Sequence, residues 1–218
     1  MRKVRIAQIG LGHDHAPGAY RALRSLSGDF ELLGIAEPDE AYRDRITWPE
    51  YSGAQLQPVE ALLAMRPDAV AIETAEEQAA PIAQRCADLG IAVYLDKPGA
   101  MTCAEFDRVA DTLERKALPL QLGYMYRYNP AIRRALAAVQ RGELGEIYAV
   151  EAHMDIFHDT AKRQWESKFP GGMMYFLGCH LIDLIYQIQG EPDEVIPLNR
   201  STGIDGVTAD DFGLVLLR

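Results

Sequence analysis

The 218-residue sequence has few cysteines and no long apolar run. Its three cysteines, Cys86, Cys103 and Cys179, stand far apart without a paired spacing. That arrangement argues against a disulfide framework and against a zinc site built on cysteine pairs, and it is typical of reduced thiols in a cytoplasmic protein. No apolar stretch approaches the length that a membrane-spanning helix requires.

Basic residues are scarce relative to acidic ones. The chain has 22 Lys and Arg against 32 Asp and Glu, a formal net charge of -10 at pH 7. Because this excess of negative charge repels phosphates, neither nucleic acid nor an anionic membrane is an expected partner. Residues 1–10 are basic and then apolar, but Arg5 and Gln8 interrupt the apolar run before Gly10, which predicts a first strand and not a signal peptide.

Two patterns divide the chain near Gly123. Before that point, short and mostly apolar runs alternate with helical segments, which predicts an α/β domain with a doubly wound parallel sheet over residues 1–122. After it, residues 123–218 predict a smaller α+β domain with a mainly antiparallel sheet. The elements expected there are a helix, a long strand, an amphipathic helix and two further strands, at 130–141, 146–157, 172–189, 193–200 and 211–217.

A glycine turn joins the first predicted strand to the first predicted helix. Gly10-Leu11-Gly12 would let backbone N–H groups approach a pyrophosphate at the N-terminus of that helix. The dinucleotide fingerprint has a third Gly or Ala where this chain has His15, so the turn alone is a weak signal and a plain strand-to-helix turn is the alternative. Asp14 is electrostatically unfavourable beside a pyrophosphate; either His13 and His15 offset its charge or Asp14 points outward.

Glu37 strengthens the nucleotide hypothesis. It ends the second predicted strand, where a carboxylate can accept hydrogen bonds from the adenosine ribose and would repel the additional phosphate of NADP. No arginine follows directly, since Arg43 and Arg45 lie beyond Pro38-Asp39. The sequence therefore predicts NAD as the cofactor, with a capping or solvent-facing carboxylate as the alternative.

Four further segments carry a resemblance. They are Asp96-Lys97-Pro98, Tyr126–Pro130, Gly142–Ile147 and Gly171–Asp183. In order and approximate spacing they resemble segments of the oxidoreductase family of glucose–fructose oxidoreductase, inositol dehydrogenase and MocA, with Asp96 in place of the glutamate of that family's Glu-Lys-Pro. The resemblance implies an NAD-binding Rossmann domain and a second domain that associates through the open face of its sheet. Family members usually extend beyond Arg218, so we expect an incomplete second domain.

The resemblance also implies roles for individual residues. Lys97 would meet the substrate hydroxyl beneath the nicotinamide, in a partly dry cleft that disfavours its ammonium form and suits proton exchange. His180 would be the general base, and Asp183 at i+3 could fix its tautomer. A lone histidine on a helix is more often structural, but the surrounding match favours catalysis. Expected cofactor contacts are Gly10, Gly12, His13, His15, Glu37, Thr74, Asp96 and Lys97, and expected substrate contacts are Arg127, Tyr175, Phe176 and Asp183.

Two departures from the family's pattern affect this site. Phe176 lies four residues before His180, on the same helix face, where the commonest pattern has an aspartate; an apolar wall thus replaces a hydrogen-bonding group. Residues 73–77 keep the threonine of the family's Thr-Pro-Asn but lack its proline and the histidine that follows. His153, Asp155 and His158 also invite a metal interpretation, but His158 would point away from the other two on a strand, and we expect no metal site.

Three functions remain open. The first is NAD-dependent oxidation of a secondary alcohol of a sugar, polyol or related small molecule, with Lys97 and His180 handling the hydroxyl proton. A variant is NAD-dependent glycoside cleavage through transient oxidation. The third is a catalytically weakened NAD-binding sensor or oligomer subunit, which Phe176 favours. The last predicted strand has apolar residues on both sides, including Phe212 and Leu214, so we expect a homo-oligomer formed through the C-terminal sheet.

Overall fold

The chain forms two units in the computed structural model, which describes residues 2–218. Unit 1 is Met1–Gly123 and unit 2 is Tyr124–Arg218. Among the described residues, no helix combines the length and the apolar character that a membrane crossing requires.

A five-stranded, all-parallel sheet forms the centre of unit 1, in the order β2-β1-β3-β4-β5. Its strands are β1 (Val4–Ile9), β2 (Phe30–Ala36), β3 (Ala69–Ile72), β4 (Ala92–Leu95) and β5 (Leu120–Leu122). Its α-helices are α1 (Ala16–Ser25), α2 (Val59–Ala64), α3 (Glu76–Asp88) and α4 (Cys103–Arg115). The predicted doubly wound parallel sheet is confirmed.

Apolar strands and amphipathic helices explain why unit 1 folds this way. Ile9, Ile72 and Leu95 are buried at the centre of the sheet, because helices cover strands of a parallel sheet on both faces. Helix α4 begins at a capping box, in which Thr102 Oγ1 accepts the Glu105 N–H and the Glu105 carboxylate accepts the Thr102 N–H. Burying each large aliphatic side chain contributes about 1.5–3 kcal/mol.

The strand order reverses direction at β1. From β1 the sheet continues to β2 on one side and to β3 on the other. In open parallel sheets a crevice forms at such a switch point, outside the carboxyl ends of the two strands. The loops that follow β1 and β3 therefore meet at one edge of the sheet.

Unit 2 has three α-helices and a two-stranded sheet. The helices are α5 (Pro130–Gln140), α6 (Thr160–Trp165) and α7 (Cys179–Gln189), and the strands are β6 (Val195–Pro197) and β7 (Val215–Leu217). The strands pair antiparallel, with Ile196 opposite Leu216. The small second domain with antiparallel strands is thus confirmed, although both strands are shorter than predicted.

The long strand predicted at 146–157 was wrong. That segment has no regular secondary structure, and Tyr148 is 95% exposed. Alternation alone does not make a strand, because its backbone groups need a neighbouring strand, and β6 and β7 pair with each other. The helix predicted at 172–189 is helical throughout, but Met174–Gly178 forms a π-helical turn before α7.

Candidate functional site

The glycine turn of unit 1 packs backbone to backbone against the loop after β3. A Cβ atom added to Gly10, whose φ is +114°, would lie 2.1 Å from the Thr74 nitrogen. One added to Gly12 would lie 2.6 Å from the Ala75 nitrogen. The His13 N–H also donates to the Glu73 carbonyl at 2.9 Å. The two glycines are therefore required here, and they shape a cradle at the switch point of the sheet.

Glu37 lies immediately after β2, beside this cradle. It is only 4% exposed, so it is not a solvent-facing carboxylate. Its Oε2 accepts the Leu11 N–H, and its Oε1 accepts the Asp39 N–H at 2.7 Å. Burial raises the pKa of Glu37 in spite of these two hydrogen bonds. Each oxygen keeps a lone pair that a ribose hydroxyl could use.

Arg43 and Arg45 lie beside the cradle, although Pro38-Asp39 separates them from Glu37 in the sequence. Residues 40–47 form a 3₁₀ helix that returns toward the glycine turn. As a result, the Arg43 Nε donates to the Glu37 carbonyl at 3.2 Å. Arg45 donates to the Leu11 and Gly12 carbonyls at 2.9 and 3.0 Å. Both arginines thus lie near Glu37 in the fold although neither follows it directly in the sequence, and short 3₁₀ segments of this kind leave little trace in hydrophobic periodicity.

Polar groups from the loops after β1 and β4 meet at the other end of the cradle. The His13 Nε2 lies 3.1 Å from the Lys97 carbonyl, so it carries the proton, and its Nδ1 accepts the His15 N–H at 3.1 Å. The His15 Nδ1 lies 3.0 Å from Asp96 Oδ2. Asp96 Oδ1 accepts the Lys97 N–H at 2.7 Å. The sequence analysis proposed each of these residues as a cofactor contact but not their contacts with one another. The contacting residues are 84 and 81 positions apart in the sequence, so no local pattern indicates the contacts.

Burial and mutual charge determine the protonation of this cluster. Burial lowers the pKa of His13, which favours a neutral imidazole. Burial also raises the pKa of Glu73 well above its ordinary value, and the Asp96 carboxylate raises it further. Burial would raise the pKa of Asp96 too, but the hydrogen bonds with His15 and with the Lys97 N–H help to outweigh burial, and the pKa is lowered. The two opposite shifts favour placing the negative charge on Asp96 and not on Glu73.

Lys97 and Thr74 complete the polar lining in unit 1. Lys97 follows β4 and is 2% exposed, and its peptide bond to Pro98 is cis. The Thr74 Oγ1 is buried, and no group among residues 2–218 makes a hydrogen bond to it. A buried hydroxyl without a partner is a feature that a bound polar ligand would satisfy. The glycine cradle, Glu37 and Thr74 together fit a dinucleotide.

His180 and its neighbours form the polar part of unit 2. The buried His180 ring packs edge-to-face on Tyr124 and Tyr126, with ring centroids 5.9 and 5.0 Å away. The Arg127 Nε lies 3.0 and 2.9 Å from the two oxygens of Asp183. The hypothesis that Asp183 fixes the tautomer of His180 stays a prediction, and the structure adds Arg127 as the partner that holds Asp183.

Phe176 belongs to an aromatic cluster in unit 2. Its ring lies 5.0 Å from Phe169 in a stacked arrangement and 5.1 Å from Trp165 edge-to-face. Tyr175 stacks on the same Phe169 at 6.1 Å. The aromatic ring in place of the family's aspartate therefore contributes to the small apolar core of this unit. A role for Phe176 or Tyr175 in substrate binding stays a prediction.

Comparison with known protein families gives matches to both units. Residues 4–124 match the family described as an oxidoreductase family with an NAD-binding Rossmann fold. Residues 132–218 match the GFO/IDH/MocA C-terminal domain.

Individual relatives agree with these matches. The uncharacterized oxidoreductase YhhX of Escherichia coli is 31% identical over 117 residues, which cover 52% of this chain and 32% of that protein. D-xylose 1-dehydrogenase [NADP(+)] of Haloarcula marismortui is 25% identical over 214 residues, which cover 91% of this chain and 53% of that enzyme. The WlbA dehydrogenase of Bordetella pertussis, solved with NADH and UDP-GlcNAcA, superposes with a TM-score of 0.85 at 20% identity. That superposition covers 100% of this chain and 67% of the WlbA chain.

Proposed function

This chain belongs to the GFO/IDH/MocA oxidoreductase family, and from that premise we propose that it is an NAD-dependent oxidoreductase for a secondary alcohol of a sugar, polyol or related small molecule. The observation that carries the proposal is the buried Lys97 beside the glycine cradle, its carbonyl hydrogen-bonded to His13 of the glycine turn. A dinucleotide cradle and a buried amine at adjoining strand ends suit proton transfer next to a bound nicotinamide.

Each residue of the cradle has a task in this proposal. The glycine turn would bind the pyrophosphate through backbone N–H groups, and Glu37 would accept hydrogen bonds from the ribose. Thr74 would supply its hydroxyl to the cofactor. NAD, when bound, accepts a hydride. Lys97 would hold the proton of the substrate hydroxyl, and His180 keeps the role of general base that the family resemblance implies.

NAD rather than NADP is the proposed cofactor. Glu37 supports this choice, because its carboxylate would repel a 2′-phosphate. Arg43 and Arg45 oppose it in part, since both lie on the segment that returns to the cradle. A relative that acts on D-xylose is named for NADP(+), so the family itself does not determine the choice.

A second candidate function is that of an NAD-binding protein with little or no catalysis. Phe176 favours it, because a buried aromatic ring stands where the family's commonest pattern has a polar group that serves the substrate. The two functions differ in one observable, since the second predicts nucleotide binding without substrate oxidation.

We also propose that the chain associates with itself through its C-terminal sheet. Ile196, Leu198, Phe212, Leu214 and Leu216 are all exposed. Ile196 and Leu216 pair across β6 and β7, and backbone hydrogen bonds extend this ladder to Leu198 with Leu214 and to Arg200 with Phe212. Because these positions alternate along the extended chain, the five apolar residues lie on one face. An exposed apolar face of this kind is typical of an interface.

Turnover of a substrate panel tests the enzymatic proposal. The purified chain is mixed with NAD and with sugars, polyols and nucleotide sugars, and NADH formation is followed by absorbance. We expect slow oxidation of at least one compound, and a loss of about two orders of magnitude or more in turnover for Lys97→Met and for His180→Ala. Lys3→Met, an exposed lysine of the same unit, is the matched control.

The outcomes separate the two candidate functions. Unaltered turnover in both Lys97→Met and His180→Ala would refute the catalytic assignment. NADH binding without oxidation of any compound would favour the second candidate. A chain that binds no nucleotide would contradict both.

A further inference from the structure

Three ligand-type side chains converge on one point beside the glycine turn of unit 1. One nitrogen each from His13 and His15 and one oxygen from Asp96 all lie within 4.8 Å of one another. Asp96 Oδ2 is 3.0 Å from the His15 Nδ1 and 3.5 Å from the His13 Nδ1. Bonds of about 2.0–2.2 Å to a tetrahedral zinc ion place its ligand atoms roughly 3.3–3.5 Å apart. We propose that His13, His15 and Asp96 bind a divalent transition-metal ion.

The groups around the three side chains already orient them for this task. The His13 Nε2–H donates to the Lys97 carbonyl, and metal-ligating histidines characteristically donate their outer N–H in this way. Asp96 uses Oδ1 to accept the Lys97 N–H, which leaves Oδ2 directed toward the two imidazoles. The His13 Nδ1 accepts the His15 N–H at 3.1 Å, and the metal ion replaces this donor as the partner of the nitrogen.

Glu73 supplies an independent indication of a cation. Its side chain is fully buried, and no donor among residues 2–218 makes a hydrogen bond to either carboxyl oxygen. Its Oε2 lies 3.8 Å from the His13 Nδ1. A buried carboxyl group without a donor either keeps its proton or needs a cation, and a metal ion at Oε2 takes the place of that proton. Glu73 is therefore the fourth ligand, and the set of imidazoles and carboxylates is one that suits Zn²⁺ or Co²⁺.

Charge at this end of the cradle agrees with the assignment. Glu76, also buried, has its Oε1 4.0 Å from the His13 Nε2, so a third carboxyl group adjoins the cluster. The competing interpretation is that His15 and Asp96 form a hydrogen bond that only fastens the glycine turn to β4. That interpretation requires no metal affinity, so a metal titration distinguishes the two.

The experiment uses the full chain without an affinity tag and without nucleotide, so its outcome is independent of the proposed oxidoreductase function. Metal-free protein is titrated with Co²⁺, followed through its visible d–d absorption, and with Zn²⁺ by calorimetry. We expect one ion per chain. His15→Ala and Asp96→Asn are each expected to weaken binding by about tenfold to a hundredfold or more.

The variants are chosen so that a folding defect does not hide the answer. The His15 side chain is partly exposed and makes no capping hydrogen bond to α1, so His15→Ala is expected to fold, which circular dichroism verifies. Asp96→Asn keeps an oxygen for the Lys97 N–H. His153→Ala, an exposed histidine of unit 2, is the control and is expected to bind the ion as the unaltered chain does. No binding, or binding that His15→Ala and Asp96→Asn leave unchanged, would overturn the proposal.

Discussion

Unit 1 and unit 2 bury apolar side chains to very different extents. In unit 1, strands and helices bury three apolar clusters, and Ile9, Ile72 and Leu95 belong to the largest of them. Among the described residues of unit 2, four apolar side chains are buried, namely Phe169, Phe176, Val207 and Ala209. Buried apolar side chains within unit 1 thus stabilise its fold, whereas the sheet of unit 2 has an exposed apolar face.

The difference also explains where costly polar groups are located. Unit 1 holds His13, Glu37, Glu73, Asp96 and Lys97 buried at the carboxyl edge of its sheet. Burying such groups opposes folding unless hydrogen bonds or charges compensate. A dense core tolerates this cost and fixes the groups in place, which a binding site requires.

The largest expected effect compares matched isoleucines of the two units. Ile72→Ala empties a position that is 1% exposed in β3, and we expect it to lower the free energy of unfolding of unit 1 by about 2–5 kcal/mol. Ile196→Ala changes a residue that is 38% exposed in β6, and we expect an effect below about 0.5 kcal/mol in the dissociated chain. Urea titrations followed by circular dichroism measure both. Equal losses would contradict the contrast between the units.

The parallel sheet was predictable from the sequence because strands covered on both faces are nearly continuous apolar runs. The strands β1 (Val4–Ile9) and β2 (Phe30–Ala36) are runs of this kind. The strand at 146–157 failed because its pattern carries no information about a partner strand. The π-helical turn at Met174–Gly178 was not predicted either, because one additional residue in a helical turn leaves the apolar pattern helical.

The candidate site was predictable only in part. Gly10 and Glu37 carry local signals, since a turn and a strand end are visible in sequence. The contact of His15 with Asp96 depends on the closure of the whole sheet, which brings the ends of β1 and β4 near each other. No local rule reports such a contact.

The second largest expected effect is the loss of self-association when charges are placed on the apolar face of the unit 2 sheet. Ile196 and Leu216 face each other across β6 and β7. The double variant Ile196→Lys, Leu216→Lys therefore places two charges on the apolar face. We expect light scattering after size exclusion to show an oligomer for the unaltered chain and a mass near 24.2 kDa for the double variant. Met65→Lys, which places a charge at an exposed position of unit 1, is the control and is expected to leave the oligomer intact. A single-chain mass for the unaltered protein would contradict the association.

Cofactor preference should depend on pH by a smaller, several-fold factor. Because burial raises the pKa of Glu37, this group gains a proton at higher pH than an ordinary glutamate as the solution is acidified. A neutral Glu37 repels a 2′-phosphate less, so the ratio of the NADP and NAD dissociation constants is expected to rise from pH 5 to pH 8. Fluorescence titrations with the reduced cofactors measure this ratio.

Glu37→Gln provides the control for that dependence. It keeps an acceptor oxygen but cannot ionise, so the contribution of Glu37 to the pH dependence is removed while that of the 2′-phosphate remains. We expect a flatter profile and a smaller preference for NAD. An identical profile in Glu37→Gln would remove Glu37 from the explanation of cofactor choice.

The most direct test of the central claim, that the glycine cradle of unit 1 binds NAD, is an NADH titration of Gly10→Ala against Gly18→Ala. A Cβ at Gly10 meets the Thr74 backbone, whereas a Cβ at Gly18 meets no atom within 4 Å. With folding of both variants verified by circular dichroism, we expect Gly18→Ala to bind NADH as the unaltered chain does and Gly10→Ala to show no saturable binding. A folded Gly10→Ala variant with unchanged NADH affinity would contradict the account.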